Sequence, residues 1–489
     1  MNICKILKQH WAIFVILLIA AVLRFWRLED LTTFGGDQGR DFLIVKAITE
    51  SKFTLLGPQL GPLNQNGNVY LGPAYYYLIA PALFLFHLDP VGPSIIMVCL
   101  SLATLIMAYI IGVNFFSKKV AILTTSLLAF SALLIEQSRA ALNPFPIPFF
   151  SAIFLFASFK LLIDKSKYLL WPILMGISSG VMFQLHYLTI ALSLSSTIFL
   201  IAKRQYRTLA IILVVFLIII SPQIVFELRH NFFITHQILN RISTGNEISS
   251  PKVFVNQLLS VPTLISNLFF SQKYILSLLV VVLISLLILK KPKINFRQLY
   301  LLANIIFTFI FASLYSQVPQ YHYFAAVYLS MALLIADLFM LLLSKIKEQR
   351  LNHLSIIVAI CLFLVNAPNY QLNRSNGYTM PDGWNLKGIK NASKIVANDI
   401  DSHTTFNIAA TLDGDTRAMP YRYLLSVYGK NPLNVEQYPQ ADVLYLISRD
   451  TLEQIKKYTV WEVASFRPYN IIKLKDIQNG VSVYKLTKI

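Results

Sequence analysis

The stretch FGGDQGRDFLIV, Phe34 to Val45, places Asp37, Arg40 and Asp41 behind two glycines and directly after an apolar segment of membrane length. If the run is helical, the i,i+4 spacing sets both carboxylates on one face, one turn apart, with Arg40 close by. Two readings are open. Asp is a favoured helix N-cap, and the Arg40–Asp41 pair can simply solvate an interfacial helix. Alternatively, a carboxylate at a membrane surface can serve as a general base. Transfer of a sugar from a lipid phosphate to a hydroxyl needs one such base to take the acceptor's proton. The leaving group is already a phosphate, so it needs cationic or hydrogen-bonding groups rather than a strong acid.

That chemistry calls for Arg, His and amide groups on the same side as the carboxylate, and the breaks between apolar runs contain them. Arg139 and Asn143 lie in EQSRAALNPFP, Gln184 and His186 in FQLHYLT, Glu227, Arg229 and His230 in FELRHNF, His322 in PQYHYF, and Tyr75 in YLGPAYYYLIAP. Each has a plainer alternative. Arg139, at a span end, can pair with Glu136 or with lipid headgroups. Gln184 and His186 can be a satisfied buried pair, although polar residues inside a membrane are costly and commonly functional. Arg229 and His230 can be a charge cluster on a surface helix. His322 and Tyr75, each among tyrosines, fit an aromatic belt. No local spacing of His and carboxylates matches a metal site, so no cofactor is expected, with convergence in three dimensions left open.

These residues need a scaffold, and composition names its class. The chain has 489 residues, 56% hydrophobic and 13% charged, with mean hydropathy +0.60. That lies outside the range of soluble domains and indicates a polytopic α-helical membrane protein. The net charge of +19 is spread over short clusters between apolar runs rather than along one face, so no nucleic-acid partner is expected. The clusters Lys5 and Lys8, Lys118 and Lys119, Lys165 and Lys167, Lys203 to Arg207, Lys290 to Lys293 and Lys345 to Arg350 fall at every second break. Short cytoplasmic loops carry such an excess, so the clusters orient the chain. A scheme of about eleven spans follows, near 11–28, 90–116, 120–135, 145–163, 168–184, 187–202, 208–222, 274–289, 298–316, 323–343 and 352–367, with the N-terminus cytoplasmic and the tail outside.

Two outward segments are not simple spans. Gly72 to Leu88, led by three tyrosines and interrupted by Pro81, reads as an interfacial helix, and Pro222 to Lys273 reads as helices on the membrane surface. The first span lacks a cleavage pattern and reads as a retained signal anchor. The cysteines are Cys4, on the cytoplasmic side, and Cys99 and Cys361 in apolar runs, so no disulfide is expected. No internal repeat is visible.

The chain divides into a membrane domain, 1–367, whose first outward loop is 29–89, and an outward C-terminal domain, 368–489. The tail alternates a helical run at Asn385 to Ile400, the strand-like TFNIAATL, the helix-like RAMPYRYLLSVYG, the strand-like DVLYLIS, the helix-like TLEQIKKY and the strand-like VSVYKL. That order predicts a small α/β domain. It contains no phosphate loop, zinc cluster or nucleophile elbow, which leaves a structural or recognition lid as its plainest role.

In order and spacing over about residues 10 to 345, the Asp after the first span, the interfacial helix, YLGPAYYYLIAP, SRAALNP and QLH resemble the C-type membrane glycosyltransferases. The branch is that of the bacterial protein O-mannosyltransferases and aminoarabinose transferases. The resemblance implies that Asp37 is the catalytic base, that the donor is a polyprenyl-phosphate sugar, that configuration inverts and that an outward C-terminal domain follows. The family pattern often reads Asp-Glu at this point; Gln38 stands here in place of the Glu, leaving Asp41 as the second carboxylate. With Asp37 and Asp41 as the catalytic pair, Arg40, Arg139, Asn143, Arg229 and His230 are candidates to hold the donor phosphate and lipid. Gln184, His186, Tyr75 and His322 are candidates to contact substrate. The expected partners are that donor, membrane lipids and a hydroxyl acceptor on a protein, a lipid or a cell-envelope glycan. The competing classes are a transporter or flippase for lipid-linked glycans and an assembly subunit. Charge concentrated at one surface, without inverted repeats, favours the enzyme.

Overall fold

The computed structural model describes residues 3–60, 69–243, 250–271, 294–314, 320–343, 348–401, 404–412 and 414–489. The long helix α1 (Ile3–Phe25) is followed by one turn, α2 (Leu28–Leu31), and by α3 (Gly36–Thr49), which carries Asp37, Arg40 and Asp41. A short antiparallel ladder of β1 (Gln59–Leu60) and β2 (Val69–Tyr70) leads into α4 (Ala74–Leu85), with Pro81 inside it. This is the helix expected over the stretch Gly72 to Leu88. Its Tyr75, Tyr76, Ile79 and Leu83 are buried, while Phe84 and Leu85 are exposed.

The bundle continues with α5 (Val91–Phe115), α6 (Lys118–Ala129), α7 (Ala132–Ser138), α8 (Ile147–Leu162), α9 (Leu170–Leu185), α10 (Ile190–Ala202) and α11 (Tyr206–Ile219). Then come α12 (Ser221–Arg229), α13 (Phe233–Ser243), α14 (Pro251–Leu259), α15 (Val261–Phe270), α16 (Phe296–Ser313), α17 (Tyr328–Leu342) and α18 (Glu348–Asn366). Among the described residues five helices are long and apolar enough to cross a membrane. Seven qualify if the bent pairs α6–α7, at 64°, and α11–α12, at 60°, each count as one span. The expected span at 274–289 lies outside the described residues. Leu18, Ile198, Ile218 and Leu364 are each more than half exposed on these helices. Such side chains, on helices that satisfy their own backbone, mark a polytopic membrane fold.

Helix ends and crossings follow from particular residues. α9 crosses α11 at Gly176 and Gly180, where an added methyl would lie 2.7 Å from Val215 or Ile219; this is the small-residue spacing that lets membrane helices approach. The α6–α7 break is held by the fully buried Arg24, which donates to the carbonyls of Leu128 (3.2 Å) and Ala129 (3.0 Å) and to Ser101 Oγ (2.9 Å). These are helix-end carbonyls that would otherwise be stranded in an apolar interior. Within the expected surface-helix stretch from Pro222 to Lys273, α14 and α15 differ from that expectation. α15 buries Leu264, Leu268 and Phe269, and Asn267 Nδ2 donates to Tyr321 Oη at 3.0 Å. α14 and α15 together form an apolar run of 20 residues.

The C-terminal α/β unit contains α19 (Leu386–Asp399), β3 (Phe406–Ala410), α20 (Met419–Val427), β4 (Val443–Ser448), α21 (Leu452–Ile455), α22 (Trp461–Ala464), β5 (Tyr469–Asp476) and β6 (Ser482–Lys488). The sheet order is β3-β4-β6-β5, with β3 and β4 parallel and the other pairs antiparallel. β3 and β4 are buried along their whole length and join through α20, a βαβ unit. Two expectations change. β5 is a strand beyond the expected elements, and it carries Lys473 and Lys475, the charge that protects an edge strand and masks its apolar alternation. The helix expected over TLEQIKKY is only the single turn of α21.

Candidate active site

The first turn of α3 divides the two carboxylates. Gly35 is the N-cap, and its N–H donates to Gln38 Oε1 at 2.9 Å. Gln38 therefore supplies the reciprocal half of a capping box, and Asp37, two residues inside the cap, is not the N-cap. Its carboxylate is 66% exposed and pairs with Arg40 at 3.0 Å. Arg40 Nε and Nη2 also donate to Asp41 Oδ1, at 3.0 and 2.9 Å, and Tyr76 Oη donates to the same oxygen at 3.0 Å. Asp41 is buried, which pushes its carboxyl up to about 6, with Arg40 pulling the other way. Burial alone would weaken the charge on Arg40, but Asp41 and Asp37 outweigh it and raise its pKa. One carboxylate is thus open to a substrate. The other fixes the guanidinium that orients the first.

Further contacts join the sequence motifs to one another, and one of them reaches the chain entering this turn. Thr33 forms an isolated parallel bridge with Ala140, so SRAALNP runs beside the chain entering α3. Tyr75 Oη donates to the Ala141 carbonyl at 2.6 Å, and Asn143 Nδ2 donates to the Leu185 carbonyl at 2.8 Å. Gln184 accepts from Ala74 N at 3.2 Å and donates to the Ile219 carbonyl at 2.8 Å. Far apart in sequence, His186 and His322 come together with ring centroids 5.7 Å apart, and Tyr323 lies 5.2 Å from His186.

Other candidates are placed differently. Tyr75 is fully buried with its hydroxyl taken by Ala141; the tyrosine that reaches the carboxylates is Tyr76, missed in a run of three. Arg139 donates to the carbonyls of Leu23 and of Arg24, the latter at 3.4 Å, and so caps the C-terminus of α1, while Glu136 pairs with Arg374 at 3.4 Å. Arg229 and His230 are exposed at the end of α12, where His230 stacks on Phe226 with centroids 4.1 Å apart. Among the described residues no hydrogen bond or ion pair joins them to the α3 turn. Nor, among those residues, does any group of three His, Cys, Asp or Glu side chains converge as a metal site.

The C-terminal unit sits directly on the α3 turn. A methyl on Gly39 would lie 2.3 Å from the backbone of Met419 and Pro420, and one on Gly36 would lie 2.3 Å from Asp415 Oδ2. Tyr423 packs edge-on against Phe34 and Phe42, with centroids 5.9 and 5.7 Å away, and its hydroxyl donates to the Leu88 carbonyl at 2.7 Å. Lys390 bridges Glu29 and Asp89 at 2.9 and 2.7 Å. The i,i+3 spacing of Gly36 and Gly39 is the one sequence signal for this contact, and by itself it does not name the partner.

The multi-span bundle, with a carboxylate-bearing helix after its first long helix and an α/β unit packed on it, has a counterpart among solved structures. The chain has the fold of ArnT from Cupriavidus metallidurans. It matches that protein bound to undecaprenyl phosphate with a TM-score of 0.63 at 12% identity, and in the apo state with 0.60 at 12%, over 98% of each chain in both cases. No family model and no curated protein matches the sequence.

Proposed function

We propose that the protein is an inverting glycosyltransferase that moves a sugar from a polyprenyl-phosphate donor to a hydroxyl acceptor on the outer face of the membrane. The observation that carries this reading is the asymmetry of the carboxylate pair, Asp37 open and aligned by Arg40, Asp41 buried behind it. An open carboxylate with a fixed orientation is what a general base requires. The fold adds weight, since ArnT carries undecaprenyl phosphate in one of its structures.

Asp37 takes the acceptor's proton while the acceptor oxygen attacks the anomeric carbon. The bond from that carbon to the phosphate oxygen breaks on the opposite face, and polyprenyl phosphate leaves with the electron pair, so configuration inverts. Asn143, and Arg139 in addition to its cap on α1, hold the phosphate, and Gln184, His186 and His322 line the sugar. Arg229 and His230 meet the lipid at the exposed end of α12. The N-terminus is cytoplasmic, the chain crosses about eleven times, and the unit beyond residue 367 faces outward.

The test is to incubate the purified protein with a panel of undecaprenyl-phosphate sugars and follow each donor by mass spectrometry. Loss of sugar from one donor class, with transfer to a hydroxyl or to water and inverted anomeric configuration by NMR, is the expected result. Intact donors across the whole panel would contradict the proposal.

A further inference from the structure

We propose that Arg417, gripped by Asp415, is a positioning residue for the Asp37–Arg40 pair, so that the C-terminal unit completes the reaction centre. The inference rests on the reading of Asp37 as the general base.

At Gly39 the approach is backbone to backbone, and at Gly36 the backbone meets the side chain of Asp415. At Gly36 and Gly39 no space remains for even a methyl group between α3 and residues 415–420. The Asp415 carboxylate fills the position where a side chain of Gly36 would stand, immediately before Asp37. Arg417 grips that carboxylate through both oxygens, Nε to Oδ1 at 2.7 Å and Nη2 to Oδ2 at 3.2 Å. Such a fork fixes direction as well as distance. Arg417 lies within the electrostatic reach of both Asp37 and Arg40.

The loop bearing this pair is anchored to the sheet. Buried Arg422 donates to the carbonyls of Arg417 (2.6 Å) and Leu433 (2.6 Å) and to Tyr438 Oη (2.9 Å). Ala410 N, at the end of β3, donates to the Thr416 carbonyl at 3.2 Å. The loop therefore follows the C-terminal end of a parallel strand, the place where α/β units carry functional groups. Its rigidity passes from β3 through Arg417 and Asp415 to the first turn of α3. Docking has other anchors, in Tyr423 on Leu88 and Lys390 on Glu29 and Asp89. Removing Arg417 thus loosens the Asp37 turn without releasing the unit.

The experiment compares full-length Arg417→Ala, Arg417→Lys, Asp415→Asn and Gly36→Ala with Asp37→Asn, using the undecaprenyl-phosphate sugar that the wild type consumes. Misplacing a reacting group by about an ångström costs up to roughly 100-fold. We expect kcat to fall roughly 10- to 100-fold in Arg417→Ala, Asp415→Asn and Gly36→Ala, with the donor KM within about twofold. Arg417→Lys should recover only part, since an ammonium cannot fork. Hydrogen exchange should accelerate at residues 35–40 while β3 and β4 stay protected. Gly36→Ala keeps every charge and displaces the Asp415 carboxylate from the α3 side, and the protection of β3 and β4 shows whether each variant is folded. Wild-type kcat in Arg417→Ala and Gly36→Ala beside an inactive Asp37→Asn would overturn the positioning claim and leave the base intact. An active Asp37→Asn would sink the base, and the positioning claim with it.

Discussion

Asp41 is a carboxyl whose burial raises it from 3.8 to about 6, against the pull of Arg40. A folded-state value above the unfolded one means that folding favours the protonated form. That stability is fully present at low pH and is lost as pH rises through the window from 3.8 to about 6. Asp41→Asn removes the titration. The thermal midpoint of wild type should therefore fall relative to the variant as pH rises through this window, then run parallel above it. A constant offset across the window would mean that Asp41 does not titrate there. On activity, Asp41→Asn should cost less than Asp37→Asn, since Asp41 acts only by holding Arg40. The pair was legible in sequence as an i,i+4 motif. Its division into an open and a buried member was not, because Tyr76 and the overlying C-terminal unit decide it.

At the scale of elements, the apolar runs and their punctuation placed most helices, since a membrane forces long apolar stretches to satisfy their own backbone. Where expectation and structure part, a local cause is visible. α15 packs inward through Leu264 and Leu268 despite short apolar runs that looked interfacial, and lysines disguised β5. Arg139 shows how one residue can serve two elements. Its donors cap α1, so Arg139→Ala should leave carbonyls unsatisfied and cost about 1–3 kcal/mol, read as a lower thermal midpoint. If Arg139 also holds the donor phosphate, the folded variant will show a raised KM for the lipid-phosphate sugar and a lower kcat, because phosphate charge grows toward the transition state. A lower midpoint with unchanged kinetics would leave only the helix cap.

For the whole molecule, the alternation of Lys and Arg clusters predicts a side for every loop. Reporter fusions after residues 345 and 370 should report cytoplasm and exterior respectively; the same side for both would break the scheme and the outward placement of the C-terminal unit. The docking of that unit could not be read from sequence, because Gly39 and Met419 are separated by most of the chain and only folding brings them together. The central claim rests on Asp37 and is tested most directly by Asp37→Asn. Asn keeps the size of the side chain, and Gly35 and Gln38 already provide the cap, so expression and thermal stability should stay near wild type. It cannot accept the acceptor's proton. Turnover of the undecaprenyl-phosphate sugar should fall by roughly 100-fold or more, whereas a stable Asp37→Asn protein with wild-type turnover would contradict the mechanism.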